Sequence, residues 1–159
     1  AVFMIDSTGT GGDNQWGEIF TVPVGATSLQ QYSVFVRNVG ASDPAATKFK
    51  IEIYAWTGSA PDSTRIYASS DYYFITPNIN AASNFGTRPF VFNVNTNLTA
   101  GNQYIVKIVG DGSVAIDTVH TPNSTSPPFT LDGVTGYGPG ASRWYSWSPM
   151  NFRSKFCFN

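Results

Sequence analysis

The sequence predicts an all-β protein, a two-sheet antiparallel β-sandwich of jelly-roll type, and three observations carry that expectation. Residues 47–56 read Thr-Lys-Phe-Lys-Ile-Glu-Ile-Tyr-Ala-Trp, with Phe49, Ile51, Ile53 and Ala55 on one side of an extended chain and Lys48, Lys50, Glu52 and Tyr54 on the other. Successive side chains of a strand point to opposite faces, so this pattern describes a half-buried strand with one wet face. A helix would scatter the same charges around its axis. Short aromatic and β-branched runs recur between turn residues, with 15 glycines and 10 prolines as punctuation, the composition of an all-β domain. No segment has convincing helical periodicity, and there is no internal repeat. At 159 residues the chain is long enough to bury one core, and residues 1–159 read as a single domain.

Ala1, Val2, Phe3, Met4 and Ile5 are uniformly apolar and too few for a core helix. They read as a strand covered on both faces. Two arrangements fit: the first strand of its own domain, or a strand donated to a neighbouring subunit by edge addition. Residues 7–14 (Ser-Thr-Gly-Thr-Gly-Gly-Asp-Asn) are a flexible link suited to either. Residues 1–14 are therefore an N-terminal strand and glycine-rich linker open to exchange between subunits.

Residues 16–24 resume extended character through Trp16, Ile19, Phe20 and Val22, stopping at Pro23 and Gly25. Over residues 29–39, Tyr32, Val34 and Val36 alternate with Ser33, Phe35 and Arg37. Residues 38–44 are a loop before the strand at 47–56. Residues 57–63 form a turn-rich connection, 65–76 carry one or two strands around 69–71, and 77–89 form a long polar loop. Phe90, Phe92 and Val94 then alternate with Val91, Asn93 and Asn95. A turn at 98–101 leads into 103–109, with Tyr104, Val106 and Ile108 on one face. Asp111-Gly112 is a hairpin signal leading to residues 114–119. Residues 121–128 hold three prolines and form a loop, and 131–148 are rich in Gly and aromatics. The last run, 151–158, sets Phe152, Ser154, Phe156 and Phe158 against Arg153, Lys155 and Cys157. These runs amount to roughly ten to twelve short strands.

Charge narrows the function classes. Formal net charge is −1, 12% of residues are charged, and the nine Lys and Arg form no run. Nucleic-acid binding needs a clustered cationic stripe, so that partner is not expected. Nor is direct membrane insertion: no stretch approaches the roughly 20 apolar residues of a spanning helix, and no polybasic amphipathic segment is present. Low charge with frequent Ser, Thr and Asn points to a secreted, extracellular-surface protein. The lone cysteine, Cys157, excludes an internal disulfide framework. Asn97-Leu98-Thr99 and Asn123-Ser124-Thr125 are acceptor sequons, making Asn97 and Asn123 the glycosylation candidates.

Several segments together carry a resemblance. They are Phe20-Thr21-Val22-Pro23, Ile53-Tyr54-Ala55-Trp56-Thr57-Gly58, Arg65-Ile66-Tyr67-Ala68-Ser69-Ser70 and Leu98-Thr99-Ala100-Gly101-Asn102-Gln103-Tyr104-Ile105, followed by Trp147 ahead of Phe152-Arg153. In this order, from about residue 16 to 158, the chain resembles the secreted bacterial β-sandwich domains of anchored surface proteins, including PEP-CTERM-type exported proteins. The resemblance implies an exported surface module and supplies no catalytic residues. No Val-Pro-Glu-Pro segment, apolar span or basic tail stands in these 159 residues, so anchoring is not part of the expectation.

Reactive constellations are sparse. His120 is the sole histidine, with Asp117 three positions earlier, but no Gly-x-Ser-x-Gly elbow accompanies them. One histidine and one cysteine do not make a zinc site. Glycoside hydrolysis uses two carboxylates flanking the bond, whereas the two glutamates, Glu18 and Glu52, read as exposed strand carboxylates. No enzyme activity is expected and no cofactor is implied. A structural calcium site remains open, since calcium takes six to eight oxygens and Asp13, Asp111 and Asp132, with Asp6, fall near turns. Trp144, Tyr145 and Trp147 beside Arg143 offer planes on which a sugar face stacks; the alternative is that some of them fill the core. The expected function is a non-catalytic extracellular structural or adhesive module, including a self-assembling surface or fibre subunit. The alternative is a carbohydrate-binding module or lectin. The expected partners are further copies of the chain or surface glycans.

Overall fold

The structure, a computed structural model, describes residues 2–5, 15–38, 48–73, 89–110, 114–120, 131–137, 144–147 and 150–159. Fourteen strands and no helix occur among them. In chain order they are β1 (Val2–Ile5), β2 (Gln15–Thr21), β3 (Ser28–Val34), β4 (Val36–Asn38), β5 (Lys48–Trp56), β6 (Pro61–Ala68) and β7 (Tyr72–Tyr73). There follow β8 (Phe90–Asn97), β9 (Gln103–Gly110), β10 (Val114–His120), β11 (Leu131–Tyr137), β12 (Trp144–Trp147), β13 (Met150–Phe152) and β14 (Ser154–Phe158).

Every pairing is antiparallel. A seven-stranded sheet runs β12-β11-β2-β9-β5-β6, with β7 also pairing β5. A three-stranded sheet runs β14-β3-β8, and a four-stranded group runs β1-β10-β13 with β4 on β10. Two strands leave the three-stranded sheet to join the four-stranded group: β3 passes into β4 across Phe35, and β14 continues from β13 across Arg153. At that double crossing the Phe35 N–H donates to the Arg153 carbonyl at 3.2 Å. The Arg153 guanidinium lies 3.8 Å from the Phe35 ring centroid, a cation–π contact that covers the bend. The two small sheets thus extend one another, giving an all-β protein of two antiparallel layers.

The core lies between the layers and follows the period-2 pattern. Phe20, Phe49, Ile51, Ile53, Tyr104, Val106 and Ile108 from the large sheet meet Leu29, Tyr32, Val34, Phe92, Val94 and Phe156 from the other. Aromatic rings interlock in the core, across the gap at Phe20–Phe156 and Tyr72–Phe92 and within one layer at Tyr32–Phe156. Phe20 and Phe156 are 4.5 Å apart, Tyr32 and Phe156 4.9 Å, and Tyr72 and Phe92 4.6 Å. Tilted and edge-on geometries at such distances each contribute about 0.5–1.5 kcal/mol beyond simple burial.

Turn chemistry follows the expected punctuation. Gly25, Gly58 and Gly101 have φ values of 89°, 96° and 79°, a region that glycine enters without steric cost. Asn95 at φ 47° is the only described non-glycine residue there. It sits where the β3–β8 register shifts between Leu29 and Gln31, as expected of an asparagine at a bulge.

Four expectations are corrected. The Asp111-Gly112 hairpin would pair β9 with β10, but β9 is already flanked by β2 and β5. With both edges filled, the next strand goes to the other layer, where β10 pairs β1, β4 and β13. The single closing run at 151–158 is two strands, divided at Arg153. The run at 29–39 is likewise divided at Phe35. Finally, the outer face of the large sheet is not uniformly wet: Ile19, Ile105, Glu52 and Lys107 are all buried there.

Phe20, with 0% exposure, sits at the centre of the aromatic contact set. Phe20→Ala is expected to cost about 3–5 kcal/mol in chemical denaturation, as for other core aromatic truncations. Val24→Ala, at a position 96% exposed, is expected to stay within about 0.5 kcal/mol.

Candidate functional site

The outer face of β5 carries the densest charged cluster among the described residues. Alternation places Lys48, Lys50, Glu52 and Tyr54 on this face, opposite the core residues Phe49, Ile51 and Ile53. Register then brings in two neighbours. Glu52 pairs directly with Lys107 of β9, and Tyr54 pairs with Arg65 of β6. Cross-strand partners on one face stand within side-chain reach.

Four groups converge on the Glu52 carboxylate. Lys50 Nζ and Arg65 Nη1 approach Oε1 at 3.0 and 3.2 Å, while the Tyr54 hydroxyl donates to Oε2 at 2.7 Å and Lys107 Nζ lies 3.9 Å from that oxygen. Lys107 Nζ also sits 4.1 Å from the Tyr54 ring centroid. Burial by itself would raise the Glu52 pKa. The Tyr54 hydrogen bond and the Lys50 and Lys107 charges outweigh it and hold the carboxyl below its ordinary value. Burial and the bond to Glu52 push the Tyr54 phenol up to about 12. Burial lowers the Lys107 pKa, and the Glu52 charge opposes that shift.

Along the same strand Lys48 Nζ pairs with Asp71 at 2.9 Å and faces the Tyr73 ring at 5.9 Å. A groove of about 260 Å³ opens here, lined by Lys48, Phe49, Lys50, Asp71, Val109 and Gly110. It exists because β6 and β7 pair with β5 on either side of the bend at 69–71. There the Ile51 N–H donates to Ser69 Oγ, and the Ser69 N–H to the Ile51 carbonyl, both at 3.0 Å.

The second glutamate has the opposite environment. Glu18 shares the inward face with Phe20 and is fully buried. Its Oε1 accepts the Phe152 N–H at 3.1 Å and its Oε2 accepts the Ser154 hydroxyl at 2.6 Å. The carboxyl spans the layers and satisfies groups on both sides of the Arg153 bend. Burial dominates its titration: despite the bonds to Ser154 and Phe152, its pKa is raised to about 8. The Tyr32 hydroxyl is buried in the same place but makes no hydrogen bond of good geometry. Burial and the adjoining Glu18 charge push its pKa well above the ordinary phenol value.

Both glutamates correct the expectation of exposed strand carboxylates: Glu18 is 0% exposed and Glu52 7%. Glu18 falls inward because it has the parity of Phe20. Glu52 is outward, yet shielded by neighbouring side chains and strands. The parity of Glu18 was readable from residues 16–20. The lysine interrupting the apolar run Tyr104-Ile105-Val106-Lys107-Ile108-Val109 marked the cross-strand partner of Glu52.

The other sequence-predicted residues are not gathered into one site by the described structure. Trp144, Tyr145 and Trp147 form β12, at one end of the seven-stranded sheet, in register with Tyr137, Gly136 and Val134 of β11. Arg143, Asp13, Asp111, Asn123 and Ala1 lie outside the described residues. Asp132 falls within β11, and Asp117 and His120 within β10. Val2, Phe3, Met4 and Ile5 form β1, paired with Asp117, Ile116, Ala115 and Val114 of the same chain. Asn97 is exposed at the end of β8, and Cys157 is a free, half-buried thiol in β14. Among the described residues no three His, Cys, Asp or Glu side chains converge, and no helix is long and apolar enough to cross a membrane. Neither a protein-family model nor a curated protein matches the chain.

The Glu18 shift has a definite pH signature. Its folded pKa of about 8 lies above the ordinary 4.5, so the folded state holds a proton that the unfolded state releases. Stability from this group is fully present below about pH 4.5 and is lost progressively as pH rises through about 8. In Glu18→Gln, the amide accepts from Phe152 and donates to Ser154 without ever ionising. Thermal melts between pH 5 and 9 are expected to show a falling midpoint for the native chain and a much flatter profile for the variant.

Proposed function

We propose that the chain is a non-catalytic structural or adhesive β-sandwich module of the extracellular surface, associating through the open edges of its sheets. The position of β1 carries this reading. The Val-Phe-Met-Ile strand terminates the four-stranded group, bonded to β10 on one side, with no second partner among the described strands. An apolar edge strand is a template for main-chain pairing with a second chain, and side-chain burial adds to the association. The glycine-rich residues 7–14 that follow suit either edge-to-edge pairing or strand exchange.

The resemblance to anchored, exported surface domains and the low overall charge support the same assignment. The most perturbed carboxyl among the described residues, Glu18, is sealed in the interior and cannot touch a substrate. Its role is to hold the layers together. The carbohydrate-binding alternative rests on β12, whose Trp144, Tyr145 and Trp147 terminate the large sheet.

Light scattering and negative-stain microscopy of the intact chain, beside a form lacking residues 1–5, test the reading. The intact chain is expected to form assemblies. The shortened form is expected to remain a monomer with a cooperative melt and a β-type circular dichroism spectrum. A monomeric intact chain at all concentrations, or assembly undiminished by the deletion, overturns it.

A further inference from the structure

The cations on the outer face of the seven-stranded sheet outnumber the carboxylates they meet. Lys50 and Arg65 both approach one oxygen, Oε1 of Glu52, at 3.0 and 3.2 Å. One carboxylate carries a single negative charge, so this trio alone holds one more positive charge than negative. Lysine has three N–H donors and arginine five, and the two side chains remain 32% and 50% exposed. The carboxylate they share is only 9% exposed. At Lys50 and Arg65 an incoming ligand therefore meets the cations, not Glu52; the other carboxylate beside the groove, Asp71, is paired with Lys48 at 2.9 Å. Glu52, pinned by the Tyr54 hydroxyl at 2.7 Å, orients both cations while remaining shielded from the ligand.

The arrangement extends along the strand. Lys48 and Lys50 are two residues apart on the same face, roughly 7 Å at the rise of a β-strand, and both line the 260 Å³ groove. Arg65 lies further along β5, opposite Tyr54. The exposed cations thus form a line rather than a spot, with Tyr54 and Tyr73 beside them. A single phosphate or sulfate ion would occupy one point of this line. A linear chain of regularly spaced acidic groups, with apolar C–H faces between them, matches its length and its chemistry. Duplex nucleic acid relies on many phosphate contacts, more than the three partly exposed cations described on this face, Lys48, Lys50 and Arg65, supply.

We propose that the outer face of β5, β6 and β9 is a docking site for an acidic polysaccharide, its sulfate or carboxylate groups received by Lys50 and Arg65 and its chain running past Lys48 along the groove. Glu52 is a positioning residue that does not touch the ligand. The site is on a sheet face remote in sequence from β1, and it operates whether or not the sheet edges associate.

Heparin octasaccharide and polygalacturonate are the probes, with neutral dextran, duplex DNA and anionic lipid vesicles as comparisons, using the full chain in isothermal titration. Binding of at least one acidic glycan is expected, weakening as salt rises. Lys50→Gln/Arg65→Gln is expected to weaken it at least tenfold, while circular dichroism and a cooperative melt show the variant still folded. Arg153→Gln/Lys155→Gln removes the same charge from the other layer and should change affinity less than twofold. Glu52→Gln, if folded by circular dichroism, should strengthen binding severalfold by removing the competing charge. No binding to either acidic glycan overturns the proposal. So does equal loss in the Arg153/Lys155 variant, or equal affinity for DNA or vesicles, because each would reflect bulk charge instead of this face.

Discussion

The two layers depend on a single carboxyl group where the chain changes sheets. A strand that leaves one set of partners for another leaves backbone groups at the bend without regular ladder partners, and a buried backbone donor left unbonded costs about 1–3 kcal/mol. The bend between β13 and β14 sits against the core, with Phe152 on one side and Phe156 close by. Glu18 reaches it from the opposite layer, accepting the Phe152 N–H and the Ser154 hydroxyl. The aromatic core supplies most of the apolar burial and is tolerant of direction. Hydrogen bonds to Glu18 are directional, and they fix how the layers sit at this corner. Tyr32, whose hydroxyl adjoins the carboxyl, also packs its ring against Phe156 at 4.9 Å.

Period-2 reasoning recovered the fold class because it depends only on local chain geometry. Tyr32, Val34 and Val36, then Phe92 and Val94, then Tyr104, Val106 and Ile108 are buried as their alternation requires. Partner choice was less legible. Asp111-Gly112 is a sound local signal, but whether β10 pairs with β9 depends on whether the edges of β9 are free, and β2 and β5 take both. That competition is between segments far apart in sequence. The breaks at Phe35 and Arg153 are hidden for the same reason: nothing in either residue stops a strand, and only the shared crossing does.

The candidate site was legible in fragments. Lys48, Lys50 and Glu52 alternate in plain view, and their common face follows directly. Arg65 and Lys107 arrive there only through the registers of β6 and β9, which composition does not encode. The scattering of Lys and Arg pointed away from nucleic acid, since no run of them stands in the sequence. Local potential depends on which charges converge, and a face can be cationic on a chain whose total is −1.

Glu18 and Glu52 separate two uses of one side chain on opposite faces of the same sheet. Inside, Glu18 has donors from neutral groups only, so desolvation wins and the carboxyl holds its proton to about pH 8. Outside, Glu52 accepts from the Tyr54 hydroxyl and has Lys50, Arg65 and Lys107 around it, so these partners outweigh burial and it stays ionised. The difference lies in partners more than in depth, since both are under 9% exposed. Because β-strand parity assigns each residue to one face, the inner carboxyl governs layer packing and the outer one governs surface potential. Substitutions on the outer face at Lys50 and Arg65 can therefore change what the sheet attracts without disturbing the corner that Glu18 closes.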